Sequence, residues 1–232
     1  MEIALTLEKE GVSVPLTFDY TRMVNAGYVG RNQEEVRRHI DELAEKGIPG
    51  PKETPVLFPV ITRTLVTDDE IEVYSHETSG EVEYVLLVKD AETIYVGLGS
   101  DHTDRHLEET DIPRSKQICP NIISQKVWPL SEMEDHWDDL EIQSTVVSGE
   151  ESTLYQKGRL ELILDPKDLM EFVRSKIKVG LDNMVIFSGT LGTLAGGFLY
   201  GNRFEAELLD PKTNRRLELG YNVNPLDYLE AE

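Results

Sequence analysis

The chain has 232 residues and carries 44 Asp and Glu against 23 Lys and Arg, a formal net charge of −21. A surplus of that size repels phosphate backbones and anionic lipid surfaces, and no Lys/Arg-rich run relieves it, so nucleic acid and membrane are excluded as expected partners. With 39% hydrophobic residues the chain can build a core; one cysteine, Cys119, allows no internal disulfide, and the start MEIALTLEKE lacks a secretory pattern, so a cytoplasmic protein is expected.

Ile3, Leu5 and Leu7, then Val12, Val14 and Leu16 across Gly11, alternate as a hairpin on one edge of the fold. Over residues 33–46 the period changes. Val36, Ile40 and Leu43 recur at helical spacing, with Asn32 as N-cap and Gly47 as C-terminal stop. Gly47, Pro49, Gly50, Pro51 and Pro55 then form a rigid turn that ends the helix and leads into an apolar run over residues 56–62. Beyond it the pattern predicts strands over residues 70–74, 81–89, 93–97, 141–147, 159–164, 184–187, 204–209 and 216–223. One helix interrupts them, opened by Asp165 as N-cap and Pro166, with Leu169, Met170, Phe172, Val173 and Ile177 as its buried stripe. About ten strands to two helices imply a mainly β fold with few helices. The proline-rich turn is the one seam, dividing a small N-terminal α/β segment (1–55, hairpin plus lid-like helix) from a β core (56–232) in one continuous domain. The uncharged stretch 183–202 is long enough to cross a bilayer as a helix. Its glycines, Gly189, Gly192, Gly196, Gly197 and Gly201, favour a buried strand followed by a tight loop.

Glu81 and Glu83 stand two apart at the start of an apolar strand continuing through Val88, so they leave the same face, their Cα atoms about 7 Å apart. Asp101 is expected on the loop after the next strand, which a simple hairpin returns toward Glu81. Carboxylates about 4 Å apart repel by about 4 kcal/mol at an effective dielectric near 20, so they share a proton, find a cation or separate. Three of them make a hard-oxygen site for Mg²⁺ or Mn²⁺, with Ca²⁺ as a third candidate, and leave open positions for water and substrate. The same spacing also fits a solvated edge strand with charged alternate residues.

The segment Glu81-Val82-Glu83, followed by Ser100-Asp101-His102-Thr103-Asp104-Arg105, resembles the fumarylacetoacetate hydrolase superfamily, whose core carries an E-x-E strand, a hairpin and an N-D-x-T-A-R-D-like loop. The resemblance continues in order along most of the chain. Gly30-Arg31-Asn32 and Pro55 to Phe58 lie upstream; Ser115-Lys116, Tyr155-Gln156-Lys157-Gly158, Phe187 to Leu191 and residues 201–207 lie downstream. It implies a mixed β-roll or sandwich of the fumarylacetoacetase C-terminal type, with a divalent metal held by Glu81, Glu83 and Asp101. It also implies a small anionic 2-keto or β-diketo acid as substrate, a homodimer, and Arg105, Lys116, Gly189 and Thr190 facing the substrate. Lys116 is further implied as a catalytic donor to a developing oxyanion. The family's base is an H-x-x-E pair on a helix over the substrate. His39 and Glu42 have that spacing, although they begin seven residues after Asn32 where the family has four. His102, beside Asp101, and His106 are alternative titrating groups, and His136 in the acidic run 132–139 reads as a surface residue.

The leading expectation is a metal-dependent hydrolase cleaving a C–C bond of an acylpyruvate-like acid, the metal stabilising the departing enolate. Decarboxylation, isomerisation or dehydration of a 2-keto acid at the same site is the alternative. A non-catalytic acidic scaffold retaining the fold is the second, suggested by the departures at Asp104 and His106.

Overall fold

The computed structural model describes residues 1–45, 50–194 and 196–229, without the side chains of His39 and residues 42–45. Strands β1 (Glu2–Lys9) and β2 (Val12–Asp19) pair antiparallel around a turn in which Gly11 adopts φ +76°. After them come β3 (Arg22–Gly27), α1 (Gln33–Glu45), β4 (Val56–Val60), β5 (Leu65–Val66), β6 (Glu70–Val73), β7 (Thr78–Ser79), β8 (Val82–Val88), β9 (Ile94–Asp101) and β10 (Thr103–Asp104). Two short helices, α2 (Arg105–Glu108) and α3 (Ile112–Ile118), lead into β11 (Asn121–Pro129), β12 (Glu141–Ser148) and β13 (Glu151–Arg159). The chain closes with α4 (Pro166–Lys176), β14 (Met184–Phe187), β15 (Arg203–Asp210) and β16 (Arg215–Pro225).

One mixed sheet runs β2-β1-β11-β9-β8-β14-β3-β4, with β5 added to β11; a second runs β13-β12-β15-β16-β6, and β7 pairs with β10. The main core lies between the two large sheets, where Val82, Tyr84 and Leu86 of β8 meet Phe204, Leu217 and Tyr221. Alternation sends Val85 and Leu87 to the opposite face, into a second cluster with Phe18, Tyr20, Met23, Val60, Ile123 and Phe187. Only Tyr20 and Thr21 separate β2 from β3, which lie six places apart in the sheet, so the sheet curls around this second cluster. Strand β8 is therefore buried on both faces. Glu83 shares the inner face with Val85, and the site forms at the mouth of the curl.

The mainly β architecture with few helices matches the expectation, and the sheet crosses the expected seam, since β3 pairs with β4. The glycine-rich stretch is a strand and loop, as read, and no described helix is long and apolar enough to cross a membrane. Four readings are corrected. Residues 159–164 are the end of β13 and a 3₁₀ turn at Leu160–Leu162, because that segment leaves the sheet to cap the core with Leu160 and Ile163. Strands β3 and β11 and helices α2 and α3 were not anticipated; β11, buried on both faces at Asn121–Ser124, has no two-residue alternation to betray it. Asp101 closes β9 instead of sitting on a loop. His136 is buried between Asp135 and Asp210, both of its ring nitrogens facing carboxylates (2.5 and 3.1 Å), where it ties a 3₁₀ segment to the β15–β16 turn. The stop expected at Gly47 lies outside the described residues.

Candidate metal centre

Glu81, Glu83 and Asp101 present carboxylate oxygens that all lie within 4.8 Å of one another. Sheet register does this. Asp101 N–H donates to the Glu81 carbonyl (3.1 Å), and Glu83 is paired with Gly99 two residues before Asp101, so the β8–β9 ladder brings the three side chains to one end of the same face. Gly99 leaves the room: a Cβ there would stand 2.5 Å from Val85 and 2.7 Å from Phe187.

Each acid has a different environment. Glu83, 1% exposed, accepts one hydrogen bond, from Gly189 N–H at 2.8 Å. Burial, and then repulsion from Asp101 and Glu81, hold its carboxyl well above the ordinary range. For Glu81, at the rim, burial also pushes upward, but Arg105 and Lys116 outweigh it and the carboxyl sits low. Asp101 accepts from Lys116 Nζ at 2.6 Å.

The two cations come from the short helices. Lys116 is carried in by α3, whose N-cap Asp111 accepts from Arg114 N–H (3.1 Å); its ammonium also lies 3.6 Å from Glu81. Burial opposes its charge, but Asp101 and Glu81 win and keep it protonated. Arg105 opens α2, which Asp104 caps through Leu107 N–H (2.8 Å). Its Nη1 donates to Glu81 (3.1 Å) and Glu108 (2.7 Å), its Nε donates to Ser79 (2.7 Å), and the Phe198 ring covers it at 4.2 Å. Glu108, whose carboxyl is raised by burial and by Glu81, was missed in the sequence; its position three residues after Arg105 on a helix was the available signal.

Gly189 adopts φ +82°, and a Cβ there would stand 2.6 Å from Val29 and 2.9 Å from the Ala26 carbonyl, so only glycine lets this loop reach Glu83. Thr190 lies beside it with its hydroxyl occupied, donating to the Val82 carbonyl (2.6 Å) and accepting from Gln156 Nε2 (2.7 Å). Gln156 also donates to the Leu191 carbonyl (2.8 Å), while its carbonyl oxygen accepts from Val82 N–H (3.1 Å) and Ser144 (2.9 Å). It thereby clamps the residue between the two glutamates. His102 is buried with both nitrogens committed, to Tyr221 (2.9 Å) and Thr78 (2.9 Å), and burial takes its pKa down to about 3. That makes it a structural group. His106 is exposed, and the side chains of His39 and Glu42 lie outside those described, although both residues sit on the α1 backbone.

The donor set fits a divalent cation. In the immediate cluster four carboxyl groups, those of Glu81, Glu83, Asp101 and Glu108, face the two cations Arg105 and Lys116. With all four ionised, two negative charges are left over, the charge of one such ion. The acids are hard oxygen donors. A further buried oxygen lies on the inner face of the curl. The Thr64 hydroxyl donates to the Ile61 carbonyl (2.8 Å) and so accepts from Asn121 Nδ2 (3.4 Å), which turns the Asn121 oxygen toward Asn25 Nδ2 (2.8 Å). That orientation leaves the fully buried Asn25 Oδ1 without a partner, and Asn121 is the cross-strand neighbour of Asp101. Neither asparagine was foreseen.

Similar folds occur among solved structures. Cg1458 is 15% identical, with 93% of this chain and 83% of that chain covered and a TM-score of 0.62. The apo form of 2-keto-3-deoxy-D-arabinonate dehydratase is 13% identical over 89% and 74%, with a TM-score of 0.63. The 5-carboxymethyl-2-hydroxymuconate delta-isomerase from Mycobacterium smegmatis is 17% identical over 96% and 87%, also at 0.63. The chain thus shares the fold of these proteins, the fumarylacetoacetase-like fold that the sequence resemblance implies. The chain belongs to the family described as "Protein of unknown function (DUF2848)", whose model matches residues 26–221. No curated protein matches it.

Proposed function

We propose that the protein is a divalent-metal-dependent enzyme acting on a small 2-keto or β-diketo acid, and that it hydrolyses a C–C bond in an acylpyruvate-like substrate. The observation that carries the reading is the carboxylate trio of Glu81, Glu83 and Asp101, which with Glu108 outnumbers the two cations of the cluster, Arg105 and Lys116, by two. Glu81, Glu83 and Asp101 would hold Mg²⁺ or Mn²⁺. When bound, such an ion supplies Lewis acidity to the keto and carboxylate oxygens of the substrate. Lys116 has ammonium protons beyond the one given to Asp101, and it binds the substrate carboxylate and stabilises the developing oxyanion. Arg105, its charge divided between Glu81 and Glu108, adds positive potential at the rim. The Gly189 loop shapes the pocket wall, and Thr190 fixes that loop to β8. In this reading His39, oriented by Glu42, takes a proton from the attacking water.

Dehydration or isomerisation at the same site is the second reading. It is favoured by the names of the similar folds, a dehydratase and isomerases, and by a dehydratase structure complexed with magnesium and 2,5-dioxopentanoate. A homodimer in the cytoplasm belongs to the same proposal. The deciding experiment measures Mg²⁺-dependent turnover of acetylpyruvate, oxaloacetate and a 2-keto-3-deoxy sugar acid, with product analysis. Cleavage of acetylpyruvate to acetate and pyruvate supports hydrolysis, and water loss from the sugar acid supports the second reading. Turnover indifferent to a chelator sinks the metal reading, and a protein that neither binds metal nor turns over any of the three is the non-catalytic scaffold.

A further inference from the structure

Tyr28 follows β3 with φ +57°, in the left-handed region that bulky side chains avoid. Two of the other non-glycine residues with positive φ, Glu10 and Asn214, sit at hairpin tips where the turn demands it. Tyr28 closes no hairpin. Its conformation is instead imposed from both sides. Gln33 Nε2 donates to the carbonyls of Tyr28 (3.0 Å) and Gly30 (2.7 Å). Next along the chain, the Val29 carbonyl accepts from Leu164 N–H (3.0 Å), Arg31 N–H donates to Leu162 (2.9 Å), and the Arg31 side chain grips Asp138 at 2.7 and 2.8 Å. A strained residue held this firmly marks a side chain whose placement matters.

The placement is at the metal centre. Ala26 and Val29 are the residues against which Gly189 packs, and Gly189 N–H is the donor to Glu83. Tyr28 is 37% exposed, and among the described residues its hydroxyl has no hydrogen-bond partner. Burial first, then Glu108 and Glu81 against the opposing Lys116, raise the phenol's pKa, so its proton stays on as a donor through the neutral range. The phenol is thus a free donor within the electrostatic reach of Glu81, Glu108 and Lys116.

We propose that Tyr28 is a ligand-binding residue of this centre, its phenol donating a hydrogen bond to an anionic oxygen of the bound acid. The inference rests on the keto-acid reading and adds a named donor to it.

The test uses the full-length protein, Mg²⁺ and oxalate, an unreactive chelating dicarboxylate. Titration calorimetry of wild type and Tyr28→Phe should give Mg²⁺ affinities within about twofold, while oxalate binding to the Mg²⁺-loaded variant weakens by about tenfold or more, as for loss of a hydrogen bond to a charged group. Melting temperatures of the two proteins should agree, which separates ligand contact from a structural role. Tyr28→Asn, a residue that tolerates left-handed backbone, should lose oxalate to a similar degree and remain folded. Wild type that binds Mg²⁺ and oxalate while Tyr28→Phe binds oxalate equally well overturns Tyr28 alone. Wild type that binds neither overturns the keto-acid reading, and the role of Tyr28 with it.

Discussion

Replacing Glu83 with Gln should stabilise the metal-free protein and abolish its response to metal. At the 4.8 Å limit within which the acids lie, a pair of charges at an effective dielectric of ~20 repels by about 3 kcal/mol. Glu83 has two such neighbours, Asp101 and Glu81, and Lys116 offsets about one of the two repulsions, so about 3 kcal/mol is a working figure for what the neutral amide relieves. Gln keeps an oxygen to accept from Gly189 N–H. For a chain of this length each kcal/mol is worth about 2 °C, so Glu83→Gln should melt about 6 °C higher than wild type in EDTA at pH 7.5. Saturating Mg²⁺, at about 100 times its Kd, should raise wild type by about 5 °C and leave the variant in place. The pH dependence has a fixed sign. A carboxyl whose folded pKa is raised contributes stability that is complete below its unfolded value and lost as pH rises through the folded one. The gap between variant and wild type in EDTA should therefore close toward pH 4. Differential scanning calorimetry across pH with and without Mg²⁺ reads all three. A variant that melts several degrees below wild type in EDTA, or that still gains from Mg²⁺, refutes the account of Glu83 as a repelled ligand awaiting a cation.

Lys116→Met removes the ammonium from Asp101 and Glu81. Leaving a buried charge unpaired should cost about 3 kcal/mol without metal, and Mg²⁺ should then stabilise the variant more than wild type, while oxalate binding falls in calorimetry. Gln156→Leu strands the Val82 N–H and the Leu191 carbonyl in the interior. It should lower stability by about 2–4 kcal/mol in urea titration and weaken Mg²⁺ binding through the loosened Glu81–Glu83 segment.

Much of the candidate metal centre was legible because its signals are local. Glu81 and Glu83 occupy one strand, where side-chain alternation alone puts them on a common face. Asp101 follows on the next strand of a hairpin, and Asp165 and Pro166 announce α4 by cap chemistry that depends on no other part of the chain. The parts that stayed hidden are those set by distant pairing. Strand β11 lies between β1 and β9 in the sheet, so it is buried on both faces and lacks an amphipathic pattern. Lys116 and Arg114 stand two apart in the sequence with nothing local to tell them apart; α3 turns Lys116 inward and leaves Arg114 on the surface. His136, in an acidic run, is claimed by Asp210 from a hairpin 74 residues away. Asn25 and Asn121 meet across the inside of the curled sheet, a contact no spacing rule contains.

The same double burial that hid β11 explains how the site can hold unbalanced charge. An exposed glutamate beside two other acids swings into water and loses most of the repulsion. Glu83 has no such exit, because Val82 and Tyr84 anchor its strand in the core between the sheets, and Val85 anchors it in the second cluster. Gln156 fixes Val82 from the facing sheet, and Gly189 fixes the carboxylate itself. The packing of two cores thus prevents the relaxation that would dissipate the repulsion. What remains is relief by a proton or a cation, and a cation has the advantage at neutral pH because it satisfies three acids at once. The net charge of −21 acts in the same direction at long range, concentrating divalent cations near the protein and repelling anionic acids. An anionic ligand therefore meets favourable potential only at the mouth of the curl, where Arg105 and Lys116 add to whatever charge the trio has captured. In the proposed function this sets an order, cation first and acid second, that follows from the burial of one strand.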